Sequence, residues 1–206
     1  PISLQRTLAT SGRRDNRRYD VLPNWFLMTD LTRLSDPSLF LPHLPSHSAI
    51  IVRDPDPANA ERTAACILPD CRRRGILVLI SCSKPPLRLH CDGLHIPESA
   101  VANWRLTDLQ RLRPALLTAS AHSLEAIHRC QRLGVDAVIV SPVFATKSHP
   151  GARSLGYQRF TGMVRQVGVP VIALGGVRRA DAGRIFMSGA LGIAGISLFS
   201  EPAGQA

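Results

Sequence analysis

Several things are scarce or missing in this 206-residue sequence, and each absence narrows what it can be. No apolar run reaches the ~18 residues of a membrane helix. The first twenty residues, PISLQRTLATSGRRDNRRYD, hold no continuous apolar stretch, so neither a membrane partner nor a secretory leader is expected, and the expected location is cytoplasmic. No two of the five cysteines (Cys66, Cys71, Cys82, Cys91, Cys130) form a CxxC pair, and no Cys/His spacing suits zinc; they read as reduced, mostly buried thiols. A GxGxxG dinucleotide fingerprint is also missing. Only Lys84 and Lys147 are lysines, so arginine carries nearly all of the +10 formal charge. Five arginines (Arg6, Arg13, Arg14, Arg17, Arg18) crowd the N-terminus, but without interleaved aromatics or a following nucleic-acid motif. Residues 1–24 are therefore expected to be a solvated basic extension, with no nucleic-acid partner.

The chain does have an apolar content of 45% against 19% charged residues, which is too apolar for a disordered chain. Its length suits one domain that buries roughly 70% of its unfolded surface. From residue 25 onward, short β-branched runs recur: Trp25–Thr29, Ala49–Arg53, Ile76–Ser81, Gly93–Ile96, Ala115–Ser120, Ala137–Ser141, Pro170–Leu174 and Gly192–Leu198. Most are apolar at consecutive positions, the pattern of strands covered on both faces of a parallel sheet. Between them lie amphipathic stretches. Ser123–Leu133 has a capping Ser123 and a stop at Gly134, and Arg179–Ser188 ends at Gly189. Pro57–Arg74 is expected to bend or break at Pro69. The link Cys82–Cys91, with Pro85 and Pro86, is a poor helix candidate. Eight strands alternating with helices predict a single (β/α)8 TIM barrel over 25–206, with an open doubly wound sheet as the alternative. Only Ser200–Ala206 follow the last strand, too few for a normal closing helix. The N-terminal extension is a candidate to pack in that helix's place.

Reactive groups of such a barrel gather at the carboxyl ends of its strands. Those ends carry Asp30, Arg53, Asp54, Ser81, Cys82, His95, Ser120, His122, Ser141 and Thr146. Leu174-Gly175-Gly176-Val177 ends the seventh strand and Gly195-Ile196-Ser197 the eighth. Glycine loops there let backbone N–H groups approach an anion, so Gly175, Gly176, Ile196 and Ser197 are candidate phosphate-binding residues. The same glycines could equally serve tight turns. His122 could accept and return a proton near neutral pH, or cap the next helix. His95 reads as structural, and His43, His47, His90, His128 and His149 as surface residues.

The motifs Phe26-Leu27-Met28-Thr29-Asp30, Asp92-Gly93-Leu94-His95, Ser120-Ala121-His122-Ser123-Leu124-Glu125, Gly134-Val135-Asp136-Ala137, Ser141-Pro142-Val143-Phe144-Ala145-Thr146, Val169 to Val177 and Ser188-Gly189-Ala190 together resemble the thiamine phosphate synthase and thiazole tautomerase (TenI-type) superfamily. Their order and spacing cover about 25–200. The resemblance implies a (β/α)8 barrel, a phosphorylated thiazole or thiamine-related ligand, and a possible homodimer. It also implies roles for Arg53, Ser120 and Thr146 in binding substrate and for His122 in catalysis.

Family synthases join a pyrimidine pyrophosphate to a thiazole phosphate, and their pattern is broken here. Pro55 stands in place of the lysine of an Arg-x-Lys pair. Ser81 and Cys82 replace Asn-Asp, Pro97 to Ala100 replaces a segment bearing a second Asp, and His149 replaces a lysine after Thr146. Mg2+ and a leaving pyrophosphate need hard carboxylate oxygens and cations. The expectation is therefore a tautomerase-like barrel without a cofactor, with Mg2+ required only if synthase activity survives. The alternatives are a synthase with displaced ligands drawn from Asp30, Asp54, Asp56 or Glu98, and a non-catalytic binder of thiamine-related phosphates. A tautomerase needs His122 to face a cavity beside the phosphate loops.

Overall fold

The computed structural model describes residues 22–30, 36–146, 153–196 and 198–199. Ser197, Lys147, Ser148, His149 and the arginine-rich residues up to 21 lie outside them, as does the stretch 200–206. The expected packing of the N-terminal extension therefore concerns residues that are not described.

Eight strands close in sequence order into one all-parallel barrel. They are β1 Trp25–Met28, β2 Ser48–Val52, β3 Leu77–Ser81, β4 Gly93–Ile96, β5 Leu116–Ala121, β6 Ala137–Val140, β7 Val171–Leu174 and β8 Gly192–Gly195. β1 pairs with both β2 and β8, which closes the ring. Among the described residues the helices are α1 Pro57–Arg73, α2 Leu106–Leu112, α3 Leu124–Leu133, α4 Gly156–Gln166 and α5 Ala182–Met187. β1 is followed by a 3-10 turn, Pro37–His43, and the β3–β4 link carries no helix. This is the (β/α)8 TIM barrel expected from the strand count.

Alternation along each strand divides the apolar residues between two cores. Phe26, Met28, Ala49, Ile51, Leu79, Leu116, Ala137, Ile139, Ile172 and Ala194 fill the barrel. Their sequence neighbours, such as Leu27, Ile50, Val78, Leu94, Leu117, Val138 and Ile193, pack outward against the helices. Burial on both faces is why the strands read as unbroken apolar runs. Gly93 leaves room within this packing: a Cβ there would lie 2.3 Å from the Leu116 carbonyl oxygen and 3.0 Å from Leu79 Cγ. Gly93→Ala should therefore destabilise the fold by about 2–3 kcal/mol, the scale of an overpacked core, and the midpoint of urea unfolding would reveal it.

Three local readings change. α1 is not interrupted at Pro69, which is exposed; the carbonyl that loses its helical donor can face water. The segment Arg179–Ser188 divides into a 3-10 turn, Arg179–Asp181, and the shorter α5. β8 stops at Gly195, after which Leu198 and Phe199 turn inward and are buried. Phe199 meets Trp25 edge-on, with ring centroids 6.1 Å apart. The cysteines are all free, but only Cys71 and Cys130 are buried; Cys66 is exposed.

Two motif aspartates lie at the floor of the barrel, just before the amino ends of β4 and β6. Asp92 accepts the Val78 N–H at 3.0 Å while its own N–H donates to the Val78 carbonyl at 2.9 Å. Asp136 repeats the arrangement with Leu117, at 2.8 Å in both directions. Each aligns the start of one strand with its neighbour.

Candidate active site

Inward-facing positions at the carboxyl ends of the strands place Arg53, Ser81, His95, Ser120 and Ser141 around one mouth. Thr29 ties two of these ends together. Its hydroxyl accepts the Arg53 N–H at 2.8 Å and donates to the Arg53 carbonyl at 3.3 Å. The Arg53 backbone is thus fixed while its side chain is exposed.

His95 is 1% exposed on β4. Its Nδ1 lies 2.9 Å from Thr118 Oγ1 and its Nε2 2.8 Å from Ser120 Oγ, both on β5. Burial, with a smaller contribution from the Arg53 guanidinium, pushes its pKa down to about 3. It is neutral at physiological pH. Thr118 has no role in the sequence reading, yet its signal was present: Leu116, Thr118 and Ser120 alternate inward, and a threonine among barrel-filling positions needs a polar partner.

His122 follows β5 at the rim. Its Nδ1 is 2.7 Å from the Ser141 carbonyl, which can only accept, so Nδ1 carries the hydrogen. Nε2 faces Glu98 Oε2 at 3.8 Å. The same carboxylate oxygen accepts the His122 backbone N–H at 2.7 Å, and Arg129 reaches Oε1 at 3.3 Å. The imidazole is 57% exposed. A groove of about 400 Å3 opens beside it on the barrel's flank between α3 and α4, lined in part by Leu124, Leu155, Arg159 and Met163. β6 separates His122 from the β7 and β8 loops. This groove lies on the flank, and none of its lining residues belongs to the β7 or β8 loops.

At those loops, Gly175 and Gly176 have φ of +90° and +65°. A Cβ on Gly175 would lie 2.9 Å from Pro142 Cα, and one on Gly176 would lie 2.3 Å from the Ala145 carbonyl oxygen. Phe144 N–H donates to the Gly175 carbonyl at 2.9 Å. The glycines thus seat the β7 loop on the β6 loop, so substituting either one perturbs this packing whatever it binds. Among the described residues, the N–H groups of Gly175, Gly176 and Ile196 have no acceptor. β7 and β8 are adjacent, with Leu174 level with Ala194, which brings Gly176 and Ile196 to neighbouring strand ends. Thr146 is half-buried beyond β6 and engaged in contacts of its own.

The acidic residues that could replace the missing Mg2+ ligands each make contacts of their own. Glu98 is held by His122 and Arg129. Asp54 accepts the Asp56 N–H at 2.8 Å, and Asp56 caps α1 through the Ala58 N–H at 2.9 Å. Asp30 is likewise engaged. Burial pushes the Cys82 thiol up to about 12, so it is no thiolate at neutral pH, and a thiol is a poor partner for this hard cation.

The chain belongs to the thiamine monophosphate synthase family, whose profile matches residues 45–199. A protein of Aquifex aeolicus is 36% identical over 116 residues, 56% of this chain and 61% of that one. The thiamine-phosphate synthase of Roseiflexus castenholzii is 31% identical over 157 residues, 73% of this chain and 67% of that one. The matched region thus spans about three-fifths of the Aquifex relative's length. The thiamine phosphate pyrophosphorylase of Pyrococcus furiosus shares the fold, with a TM-score of 0.68 at 20% identity and 88% of each chain covered.

Proposed function

We propose that this barrel acts in thiamine biosynthesis or salvage. In this reading it binds a thiazole phosphate at its mouth and moves a proton on the ring of the thiazole carboxylate phosphate. Backbone N–H groups of Gly175, Gly176, Ile196 and Ser197 take the phosphate, and Arg53, Ser120 and Thr146 contact the remainder. The observation that carries the proposal is the bond from His122 Nδ1 to the Ser141 carbonyl. It leaves Nε2, beside Glu98, to accept and return the proton, and because the groove beside His122 lies on the flank, this reading requires the ligand to reach His122 from the β7 and β8 loops across the end of β6. An imidazole so oriented has one nitrogen available for general acid–base work.

The test follows isomerisation of thiazole carboxylate phosphate by NMR in wild type and His122→Asn. A loss of about 10²–10⁴-fold in rate is expected, with affinity for thiazole phosphate kept within a few-fold. An unchanged rate would remove His122 from the chemistry. The names of the curated relatives favour a second reading, a synthase that forms thiamine phosphate. It requires metal ligands drawn from Asp30, Asp54, Asp56 or Glu98, of which Glu98 is already engaged by His122 and Arg129.

A further inference from the structure

We infer that His95 is a positioning residue that holds Ser120 as a hydrogen-bond acceptor toward the mouth, selecting ligands that carry an N–H or O–H donor there. Thr118 Oγ1 lies 3.4 Å from the Leu94 carbonyl, which can only accept, so the threonine hydrogen goes to it. Thr118 Oγ1 then accepts from His95 Nδ1–H across 2.9 Å. A neutral imidazole has one hydrogen, so Nε2 bears a lone pair and takes the Ser120 hydrogen across 2.8 Å. The opposite direction would send the threonine hydrogen to Nδ1 and forfeit the bond to Leu94. Only the relay from Ser120 through His95 and Thr118 to Leu94 makes all three bonds, and buried polar groups settle into the arrangement that satisfies most of them. Ser120 is half-buried at the mouth, so its remaining lone pairs are what a ligand meets there.

The selectivity rests on the reading that a thiazole phosphate enters the mouth; the relay itself does not. Nitrogen-15 NMR of the ligand-free protein therefore comes first. Wild type should show His95 with a protonated Nδ1 and an unprotonated, hydrogen-bonded Nε2. Ser120→Ala should keep that tautomer but lose the bond at Nε2. Thr118→Val should shift the hydrogen to Nε2, a change that mere packing damage would not produce. A protonated Nε2 in wild type overturns the inference. Calorimetry then compares the 2-amino and 2-methyl analogues of thiazole phosphate, which are similar in size but differ in a donor. Wild type should prefer the amino compound by about tenfold, the worth of one hydrogen bond, and Ser120→Ala should lose the preference. Equal affinities in wild type overturn the selectivity. If neither analogue binds while the tautomer is as expected, the thiazole reading fails and the relay stands.

Discussion

Acidification should destabilise this barrel through one buried imidazole. In the unfolded chain His95 titrates near the ordinary ~6.5, whereas in the fold its pKa is pushed down to about 3 by burial and by Arg53. Between those two values the unfolded state binds one proton more than the folded state. Stability therefore rises with pH across this window and is lost as pH falls through it. The slope approaches about 1.4 kcal/mol per pH unit, so going from about pH 6.5 to pH 4 removes about 3 kcal/mol, a large part of a domain's net stability. Urea unfolding of wild type and His95→Gln at several pH values isolates this effect, because carboxylate contributions such as that of Asp181 are common to both proteins. Wild type should be the more stable at pH 7, where the relay to Thr118 and Ser120 is intact, and the gap should narrow toward pH 4. A gap independent of pH would mean that His95 takes up its proton as readily in the fold as in the unfolded chain.

The barrel was legible because its strands are short, apolar on both faces and separated by turns, and eight of them leave few topologies. Boundaries were less so. Gly192–Leu198 reads as one apolar run, but Leu198 and Phe199 are recruited by the core beside Trp25, a tertiary contact that periodicity does not register. Pro69 signals a bend or a break from local chemistry alone; its place on the exposed side of α1 shows why the helix need not end there. At the mouth, strand ends pointed to Arg53 and Ser120, because inward positions at the carboxyl ends of parallel strands gather there; His122, just past β5, lies at the rim beside the flank groove. The relay was not legible. His95 and Thr118 are separated by 23 residues and meet only when β4 pairs with β5. Asp92 and Asp136 carry a family motif without revealing which end of the barrel they serve, and both turn out to align strands at the floor.

The largest expected effect on activity is the loss of Mg2+-dependent thiamine phosphate formation. That reaction needs a pyrophosphate to depart, with its growing charge met by Mg2+ and by cations fixed in advance. Removing one such partner typically slows a reaction by roughly 10²–10³. Pro55 and Cys82 occupy two of the positions concerned. The Cys82 thiol is held protonated, since burial pushes its pKa up to about 12. Glu98, the acid nearest the lost carboxylate, already accepts from His122 and Arg129. Two losses acting together predict a rate lower by on the order of 10⁴ or more than that of an intact site. The most direct measurement is a single-turnover experiment with excess protein, Mg2+, the pyrimidine pyrophosphate and the thiazole phosphate, following thiamine phosphate and, in a parallel reaction, isomerisation of thiazole carboxylate phosphate. The expected result is isomerisation without thiamine phosphate. Thiamine phosphate formed at a rate typical of metabolic enzymes and abolished by chelation, with no isomerisation, would contradict the account.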